Sequence, residues 1–307
     1  MTRSYHARPM RTLPSAPLLL PVLAVIGSVV SLALGTSYAK QLFPLVGAQG
    51  TSALRVGLSA LLLVALWRPW RWPLTRPDVG TLLRYGLALG LMNWMFYMAI
   101  RTIPFGVAVA IEFTGPLAVA LYYSRRKRDY LWVALVVLGL GLLLPLTQHS
   151  HALDPAGVLW ALGAAAAWGT YIVFGKRAGH LHAGQSVALG LLAASLVVVP
   201  IGIAHAGAAL FDPQLLLWGL GVAIVSSTIP ISLEMFALKR LPRETFGILL
   251  SLEPAVAALA ALVFLHEALS LQQWLAIGCI MAASMGSVAS ASRRPPEVVR
   301  ISKSKEN

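Results

Sequence analysis

Ten long apolar runs follow one another along the chain, and only short polar connections separate them. A helix that crosses a membrane needs about 20 mostly apolar residues, and these runs are of that size. Because no connection is long enough for a soluble domain, the pattern predicts an all-α integral membrane protein with ten transmembrane helices. The predicted spans are residues 18–42, 47–67, 84–100, 104–123, 130–146, 156–175, 184–204, 214–236, 244–264 and 270–291.

The composition agrees with this pattern. Of the 307 residues, 58% are hydrophobic and only 11% are charged, whereas a soluble domain has about 25% charged residues. The net charge of +13 would suggest nucleic-acid binding in a soluble protein. Here the basic residues form short clusters between apolar runs, so membrane topology explains them better and no nucleic-acid partner is expected. The single cysteine, Cys279, excludes an intrachain disulfide bond.

The basic residues also predict the orientation of the chain, because cytoplasmic loops of membrane proteins are rich in Lys and Arg. With the amino terminus inside, all but three of the 24 Lys and Arg residues lie in cytoplasmic segments, and the exceptions are Lys40, Arg55 and Arg101. This predicts cytoplasmic tails at residues 1–17 and 292–307. Basic residues before an apolar run also fit a signal peptide, but the first run exceeds the roughly 7–15 residues of a signal-peptide core.

The chain repeats itself with an offset of 138 residues and no gap. At this offset FTGPLAVAL meets SLEPAVAAL, Pro116 meets Pro254, and a second pair of prolines also matches. Apolar helices resemble one another by chance, but two matched proline pairs at one offset favour a true duplication. The predicted halves, residues 18–146 and 156–291, each hold five spans. Because five is odd, the second half must insert upside down, which is the architecture of many secondary transporters.

Apart from Lys40, Arg84 and Glu244, which stand at or near span ends, four ionisable residues lie inside the predicted spans: Arg55, Glu112, Glu234 and Glu253. Such groups are costly in hydrocarbon and mark functional sites in membrane proteins. Glu112 stands four residues before Pro116. Because proline has no backbone N–H, it leaves the Glu112 carbonyl without its helical donor. A carboxylate beside a weakened turn is therefore the leading candidate for function.

Glu112 and Glu253 are not repeat mates, because the offset pairs Glu253 with Gly115. Glu112 and Gly115 are three residues apart, however, and share one face of a helix. The two carboxylates are therefore predicted to line a central cavity from equivalent helices. The alternative for Glu112 is a structural tie to a neighbouring helix, and the alternative for Glu253 is to cap backbone groups freed by Pro254.

Arg55 carries a fork of donors that suits a carboxylate. It is expected either to contact the carboxylate of a substrate or to pair with Glu112 or Glu253. Glu234 lies about one turn before Lys239, which favours an interfacial ion pair between these two. Neutral polar and aromatic walls of the cavity are expected from Asn93, Trp94, Tyr97, Trp168, Thr170 and Tyr171.

Other candidate chemistry is sparse. H-x-H pairs occur in predicted loops at residues 149–151 and 180–182, but no Cys or carboxylate cluster completes a ligand set, so neither a metal nor a cofactor is expected. The chain has no H-E-x-x-H, G-x-S-x-G or phosphate-loop motif, which argues against an enzyme. The small residues Gly278, Ala282 and Gly286 permit close helix packing within one chain or between two, so the oligomeric state stays open.

Four stretches are distinctive as ordered sequences: AKQLFPLVGAQGTSALR (39–55), MNWMFYMAIRTIPFGVAVAIEFTGPLAVAL (92–121), SLEMFALKRLPRETFGILLSLEPA (232–255) and AASMGS (282–287). Together they resemble the EamA branch of the drug/metabolite transporter superfamily, and within it the bacterial exporters of threonine and homoserine. The resemblance implies ten helices, a place in the bacterial inner membrane, export of small amino acids and their analogues, and coupling to protons. Arg55, Glu112, Glu234 and Glu253 all lie in these stretches, but the resemblance does not assign their roles.

The resulting hypothesis is a secondary transporter that exports threonine, homoserine and similar amino acids by proton antiport. Arg55 would face the carboxylate of the zwitterion, Glu112 would face its ammonium group, and Glu112 or Glu253 would exchange a proton for substrate. The alternative within transport is an exporter of another metabolite, such as an aromatic amino acid, a nucleoside or a toxic analogue. An enzyme with Glu112 and Glu253 as an acid/base pair would also need a nucleophile or a cofactor site, which the sequence lacks.

Overall fold

The computed structural model describes residues 19–123, 129–143, 153–238, 240–241 and 243–292, and every regular element in these ranges is helical. Both predicted tails, apart from Ser292, lie outside the described residues. Two 3₁₀ turns, Pro69–Arg71 and Gly207–Phe211, follow α2 and α8, and a π-helical turn, Ile224–Thr228, joins α9 to α10. The α-helices are α1 (Leu19–Lys40), α2 (Phe43–Trp67), α3 (Arg76–Ala99), α4 (Phe105–Glu112), α5 (Thr114–Tyr123), α6 (Asp129–Leu142), α7 (Pro155–Arg177), α8 (Ala183–Ala206), α9 (Pro213–Ala223), α10 (Ile229–Leu238), α11 (Arg243–Leu250), α12 (Glu253–Phe264) and α13 (Leu271–Ser292).

Within the described residues, seven helical stretches are long and apolar enough to cross a membrane. The segments Phe105–Val119 and Tyr130–Leu142 are also apolar but shorter. The prediction of an all-α membrane protein is confirmed, while the count of ten spans stays a prediction. The seven stretches are Leu19–Lys40, Phe43–Arg71, Pro155–Arg177, Ala183–Phe211, Pro213–Leu238, Thr245–Phe264 and Leu271–Ala289.

Capping side chains explain where several helices begin. Asp154 and Asp212 each accept two backbone N–H bonds at the start of α7 and α9. The first helical residue that follows is a proline in both cases, so one of the unsatisfied donors of the first turn is absent from the start. At the start of α3, Thr75 and Asp78 form a reciprocal capping box. The polar connections between the apolar runs therefore define these helix ends.

Two of the predicted spans are broken near their middle. Phe113 separates α4 from α5, and Ser251 and Leu252 separate α11 from α12. Pro116 and Pro254 lie in the first turn of the second segment, where a missing N–H is tolerated. Because Phe113 and Ser251 are related by the offset of 138 residues, both breaks fall at the same place in the repeat.

Helix α2 is kinked at Gly47, whose backbone has φ 70° and ψ 174°. A residue with a Cβ is strained at such a positive φ. A Cβ at this position would also come within 2.6 Å of Nε2 of His205 on α8. Glycine therefore permits both the bend and the close approach of α8, and the predicted start of the second span coincides with this kink.

The helices of the first part of the chain pack mainly on those of the second part. Helix α2 packs on α8, α3 on α7 and α8, α6 on α13, and α1 on α10 and the π-helical turn. Small residues allow these approaches: a Cβ on Gly115 of α5 would overlap the carbonyl oxygen of Ala165 on α7. In the predicted small-residue stripe of α13, Gly286 lies against Trp132 of α6, whereas a Cβ on Gly278 would meet no described atom within 4 Å.

An ion pair joins α1 to the connection between α12 and α13. Lys40, the last residue of α1, pairs with Oε1 of Glu267, and Oε2 of Glu267 accepts a 2.8 Å hydrogen bond from the backbone N–H of Phe105. Phe105 begins α4, where a backbone N–H has no partner inside its own helix. The carboxylate of Glu267 therefore pairs with the ammonium group of Lys40 and also accepts a hydrogen bond from the first residue of α4. Lys40, Glu267 and the N–H of Phe105 are called the Lys40–Glu267 clasp below.

Candidate functional site

A cavity of about 320 Å³ lies among α1–α4, α7 and α10–α12. All five residues predicted from the sequence to form the site lie on its wall. Most of the remaining wall is apolar or aromatic, so the four ionisable side chains are the strongest ligand-directed groups in it. The five predicted residues are Arg55, Asn93, Glu112, Glu234 and Glu253.

Arg55 is held in this cavity by neutral groups. Its Nε donates to Oγ of Ser226 over 2.9 Å, its Nη2 donates to the carbonyl oxygen of Ser226 over 3.2 Å, and its Nη1 donates to Oδ1 of Asn93 over 3.0 Å. The guanidinium carbon also lies 5.6 Å from the ring centre of Tyr97, within cation–π range. These bonds use one N–H on each nitrogen, so Nη1 and Nη2 each keep one further N–H.

Arg55 forms no direct ion pair with a cavity carboxylate. Among the described residues, no carboxylate oxygen lies within 4.0 Å of an Arg55 nitrogen. Glu112 and Glu253 are nevertheless near enough to interact with Arg55 electrostatically. Of the two expectations for Arg55, direct structural pairing with either glutamate is therefore not observed in this part of the chain.

Glu112 is the last residue of α4 and its residue surface is only 7% exposed. Its Oε1 is buried and has no hydrogen-bond partner among the described residues. A buried polar atom without a partner costs free energy. A structural tie to a neighbouring helix would have supplied a partner for Oε1, and no such partner is observed among the described residues.

The other two carboxylates approach the cavity from α12 and α10. Glu253 is half-buried and begins α12, where the helix dipole favours a negative charge. Glu234 accepts a 2.8 Å hydrogen bond from Oγ of Ser28 on α1. Its expected partner Lys239 lies outside the described residues. Glu234 therefore stands on the cavity wall together with Glu112 and Glu253, and Ser28 is the partner that the structure gives it.

The carboxylates are placed unequally with respect to the repeat. The offset of 138 residues pairs Glu112 with Leu250, which lines the same cavity. It pairs Glu253 with Gly115, where the contact with Ala165 leaves no room for a side chain. In each of these two pairs, one half of the chain carries a carboxylate, whereas the other half carries an apolar side chain or no side chain.

Known transporters are similar to this chain over most of its length. A family model described as "EamA-like transporter family" matches residues 155–289. The threonine/homoserine exporter RhtA of Salmonella typhimurium is 50% identical over 279 residues, which cover 91% of this chain and 95% of that protein. RhtA of Escherichia coli is 51% identical over 276 residues, which cover 90% of this chain and 94% of that protein. The chain belongs to the EamA-like transporter family.

The family membership confirms the resemblance inferred from the sequence, and it identifies the chain as a membrane transporter rather than an enzyme. A solved crystal structure also matches this EamA-like transporter. The two chains are 20% identical, and the alignment covers 91% of this chain and 97% of the other with a TM-score of 0.55. At that identity the likeness concerns the fold alone.

The predicted neutral walls of the transporter's cavity are found only in part. Trp168 and Tyr171 line the cavity, as Asn93 does. Trp94 instead packs edge-on against Trp160, with ring centres 5.3 Å apart. Two further expected residues are also elsewhere. The hydroxyl of Thr170 bonds the carbonyl oxygen of Ala166 over 2.9 Å, and Tyr97 is fully buried beneath Arg55.

Sequence reasoning missed three polar residues of the site: Ser226, Ser28 and Thr36. Thr36 lines the cavity, and the two serines hold Arg55 and Glu234. Hydroxyl side chains are frequent in membrane helices because they bond their own backbone, so they gave no signal. Pro230 did give one, because it stands four residues after Ser226 and leaves that carbonyl without a helical donor.

The histidine pairs of the transporter have structural partners where they are described. Nε2 of His180 lies 2.8 Å from Oδ1 of Asp78, and His182 stacks on Trp72 with ring centres 4.0 Å apart. The described residues contain no group of three or more His, Cys, Asp and Glu that could hold a metal ion. The pair at residues 149–151 lies outside the described residues.

Proposed function

We propose that this chain exports small zwitterionic amino acids, threonine and homoserine first, across the bacterial inner membrane in exchange for protons. The relatives with half of their residues identical are named threonine/homoserine exporters. The proposal rests on one observation: two side chains of opposite charge, each with unused hydrogen-bonding capacity, lie on the wall of the same cavity. Arg55 keeps two N–H groups, and the buried Oε1 of Glu112 has no partner among the described residues.

The carboxylate of the substrate binds Arg55. The two N–H groups that remain, one on Nη1 and one on Nη2, match the two oxygens of a carboxylate in a bidentate contact. A cavity of about 320 Å³ has room for an amino acid of the size of threonine and a few water molecules. The hydroxyl of the substrate finds polar neighbours in Thr36 and Asn93, which line the same cavity.

The ammonium group of the substrate binds Glu112, which also carries the proton in the opposite direction. When Glu112 takes up a proton, the ammonium group loses its counter-charge and the substrate leaves. Glu253 and Glu234 share the cavity wall, so three carboxyl groups face one guanidinium. The excess of acidic groups provides sites for protons whenever no cationic group is bound.

Alternating access is provided by ten helices in two inverted repeats. The bounds of α4 and α11 differ by 138 residues at both ends, and the breaks beside Pro116 and Pro254 have the same spacing. The packing follows the same relation, because α5 contacts α7 as α12 contacts α1. These regularities support the duplication, and the positions of Lys and Arg support cytoplasmic termini.

Transport in everted membrane vesicles tests the proposal. The vesicles are made from cells that lack their own threonine exporters, and respiration acidifies their lumen. Labelled threonine and homoserine should accumulate only when the chain is present, and an uncoupler should abolish the accumulation. Arg55→Gln should remove the accumulation, whereas Arg84→Gln, at an exposed position of α3, should preserve it. Accumulation that ignores the pH gradient would contradict proton exchange.

A second candidate is the export of a larger amino acid or another aromatic metabolite. The cavity wall carries Phe96, Phe105, Trp168 and Tyr171, and such side chains suit an aromatic ligand. Competition in the same vesicles separates the two candidates. For the first, excess homoserine reduces threonine uptake and excess phenylalanine does not. The reverse order favours the second.

A further inference from the structure

Two backbone carbonyl groups of the turn that contacts Arg55 cannot accept a hydrogen bond from residue 230, because that residue is a proline. Val225 and Ser226 stand five and four residues before Pro230. These are the π-helical and α-helical spacings, and proline offers an N–H at neither. Side chains supply the missing donors: Oγ of Ser31 bonds the carbonyl of Val225 over 2.6 Å, and Nη2 of Arg55 bonds the carbonyl of Ser226 over 3.2 Å.

The hydroxyl group of Ser226 makes a second contact to the same guanidinium. It donates to the carbonyl oxygen of Val222 over 2.7 Å and accepts from Nε of Arg55 over 2.9 Å. Because its single hydrogen is committed to Val222, its lone pairs are available to Arg55. Ser226 is only 1% exposed, so both of its oxygens contact the guanidinium from a buried position.

Asn93 completes the support from α3. Its Nδ2 donates to the carbonyl of Leu89 over 2.9 Å, and its Oδ1 accepts from Nη1 of Arg55. The three contacts on Arg55 fix the plane of the guanidinium and leave one N–H on each terminal nitrogen. We infer that Ser226 is a positioning residue, which uses the carbonyl group left open by Pro230 to hold Arg55 ready for the substrate carboxylate. This inference rests on the proposed function.

A purely structural role for Ser226 makes a different prediction. If the contact only stabilises the helix, its loss lowers the amount of folded protein and affects the maximal transport rate. If the contact positions Arg55, its loss weakens the binding of a carboxylate and raises KM for threonine. The split between KM and maximal rate, normalised to the amount of folded protein, therefore separates the two roles.

The test compares Ser226→Ala with Ser227→Ala in the vesicle assay. Ser227 lies in the same π-helical turn and is also buried, but none of the Arg55 hydrogen bonds goes to it. Ser226→Ala should raise KM for threonine about tenfold, as expected for the loss of a hydrogen bond to a charged group. Ser227→Ala should leave KM unchanged, and Ser226→Thr, which keeps the hydroxyl, should restore the KM of the wild type.

Pro230→Ala gives an independent variant if Ser226→Ala fails to reach the membrane. It supplies a backbone N–H that can bond the carbonyl of Ser226 in place of Arg55, so it should also raise KM. An unchanged KM in both variants overturns the inference, as does an equal rise in Ser227→Ala. Arg55→Gln separates this failure from that of the proposed function. Lost accumulation in Arg55→Gln together with an unchanged KM in Ser226→Ala removes only the positioning role, whereas unchanged accumulation in Arg55→Gln removes both.

Discussion

At the scale of single residues, an acid inside a membrane needs a partner, a proton or a charged ligand. Oε1 of Glu112 has no protein partner among the described residues, and Arg55 is bonded there to neutral groups only. Two groups of opposite sign that both lack a counter-charge fit a ligand that brings both charges at once. A zwitterion is the smallest such ligand.

Replacement of Glu112 by Gln should uncouple threonine from the proton gradient. The amide keeps the size of the side chain but can neither take up a proton nor balance an ammonium group. Proton-driven accumulation of threonine in everted vesicles should fall at least about tenfold, as for the loss of a charged contact. Glu112→Asp, which keeps the carboxyl group, should retain part of the activity. Unchanged accumulation in Glu112→Gln would remove Glu112 from the mechanism.

The hydrogen bonds that Asp78 accepts lead to a prediction of how acidic pH affects the stability of the protein. The hydroxyl and backbone N–H of Thr75 donate to Oδ2 of Asp78 over 2.6 and 3.0 Å. They hold the pKa of Asp78 below its ordinary value of 3.8, with His180 adding to the effect. Because the pKa is lowered in the folded state, ionised Asp78 stabilises the fold above pH 3.8 and loses this contribution as the pH falls through the folded pKa.

Thermal unfolding in detergent at about pH 6 and about pH 3 checks this expectation. Between the two pH values, the melting temperature of the wild type should fall further than that of Asp78→Asn. The reason is that Asn keeps a side-chain acceptor but has no charge to lose in acid. Equal losses in both proteins would mean that other groups set the response to acid.

The sequence could predict only those site residues whose type is rare in apolar runs. Ionisable residues are scarce in apolar runs, so Arg55, Glu112, Glu234 and Glu253 stood out, and the structure brings them to one cavity. Ser226 did not stand out, because serine is common in such runs and its role depends on a residue from another helix. The sequence shows which carbonyl group loses its helical donor to a proline, but it does not show which side chain donates to that carbonyl group instead.

At the scale of elements, the breaks inside helices bring polar groups to the cavity. The interruptions at Phe113 and Ser251 place Glu112 at a helix end and Glu253 at a helix start. The π-helical turn does the same for Ser226. The sequence predicted a weakened turn beside Pro116, because proline removes a donor at a known spacing, but it predicted unbroken spans at residues 104–123 and 244–264. The π-helical turn, which packs against α1 and α2, was not predicted.

The Lys40–Glu267 clasp makes a ranked prediction for stability. Glu267 satisfies two donors, whereas Lys40 satisfies one acceptor. Glu267→Ala should therefore destabilise the fold by about 3 kcal/mol and Lys40→Ala by about 1.5 kcal/mol, the two ends of the usual range for hydrogen bonds to charged groups. Glu267→Gln, which keeps an acceptor for the N–H of Phe105, should lie between them. Thermal unfolding in detergent measures the order, and an equal effect of both alanine variants would contradict it.

At the scale of the whole molecule, the apolar runs found in the sequence correspond to helices throughout the described residues. The length and apolar character of the runs were enough for this, because the membrane leaves few alternatives to a helix. The sequence could not indicate which helices touch. Contacts such as that between α2 and α8 depend on small residues that meet between helices far apart in the sequence. Because many small residues also occur elsewhere, they do not reveal which helices pack together.

The proposed inverted repeat predicts that repeat mates face opposite sides of the membrane. Thr102 and Arg240 are separated by 138 residues and both are exposed. In a Cys279→Ser background, Thr102→Cys should react with an impermeant maleimide added to intact cells. Arg240→Cys should react only in everted vesicles. Labelling of both positions from the same side would exclude inverted halves.

The crowding at Gly115 has a consequence for energetics. In a protein with two identical halves, the inward-facing and outward-facing forms would be degenerate, since each is the other turned over. Here Ala165 keeps an acid off Gly115, and Leu250 stands where an acid would mirror Glu112. Under the inversion proposed above, the two forms would therefore differ in free energy even with the same cargo and the same solution on both sides. A transporter with two identical inverted halves would lack this intrinsic bias, and Gly115 and Leu250 would contribute to it here.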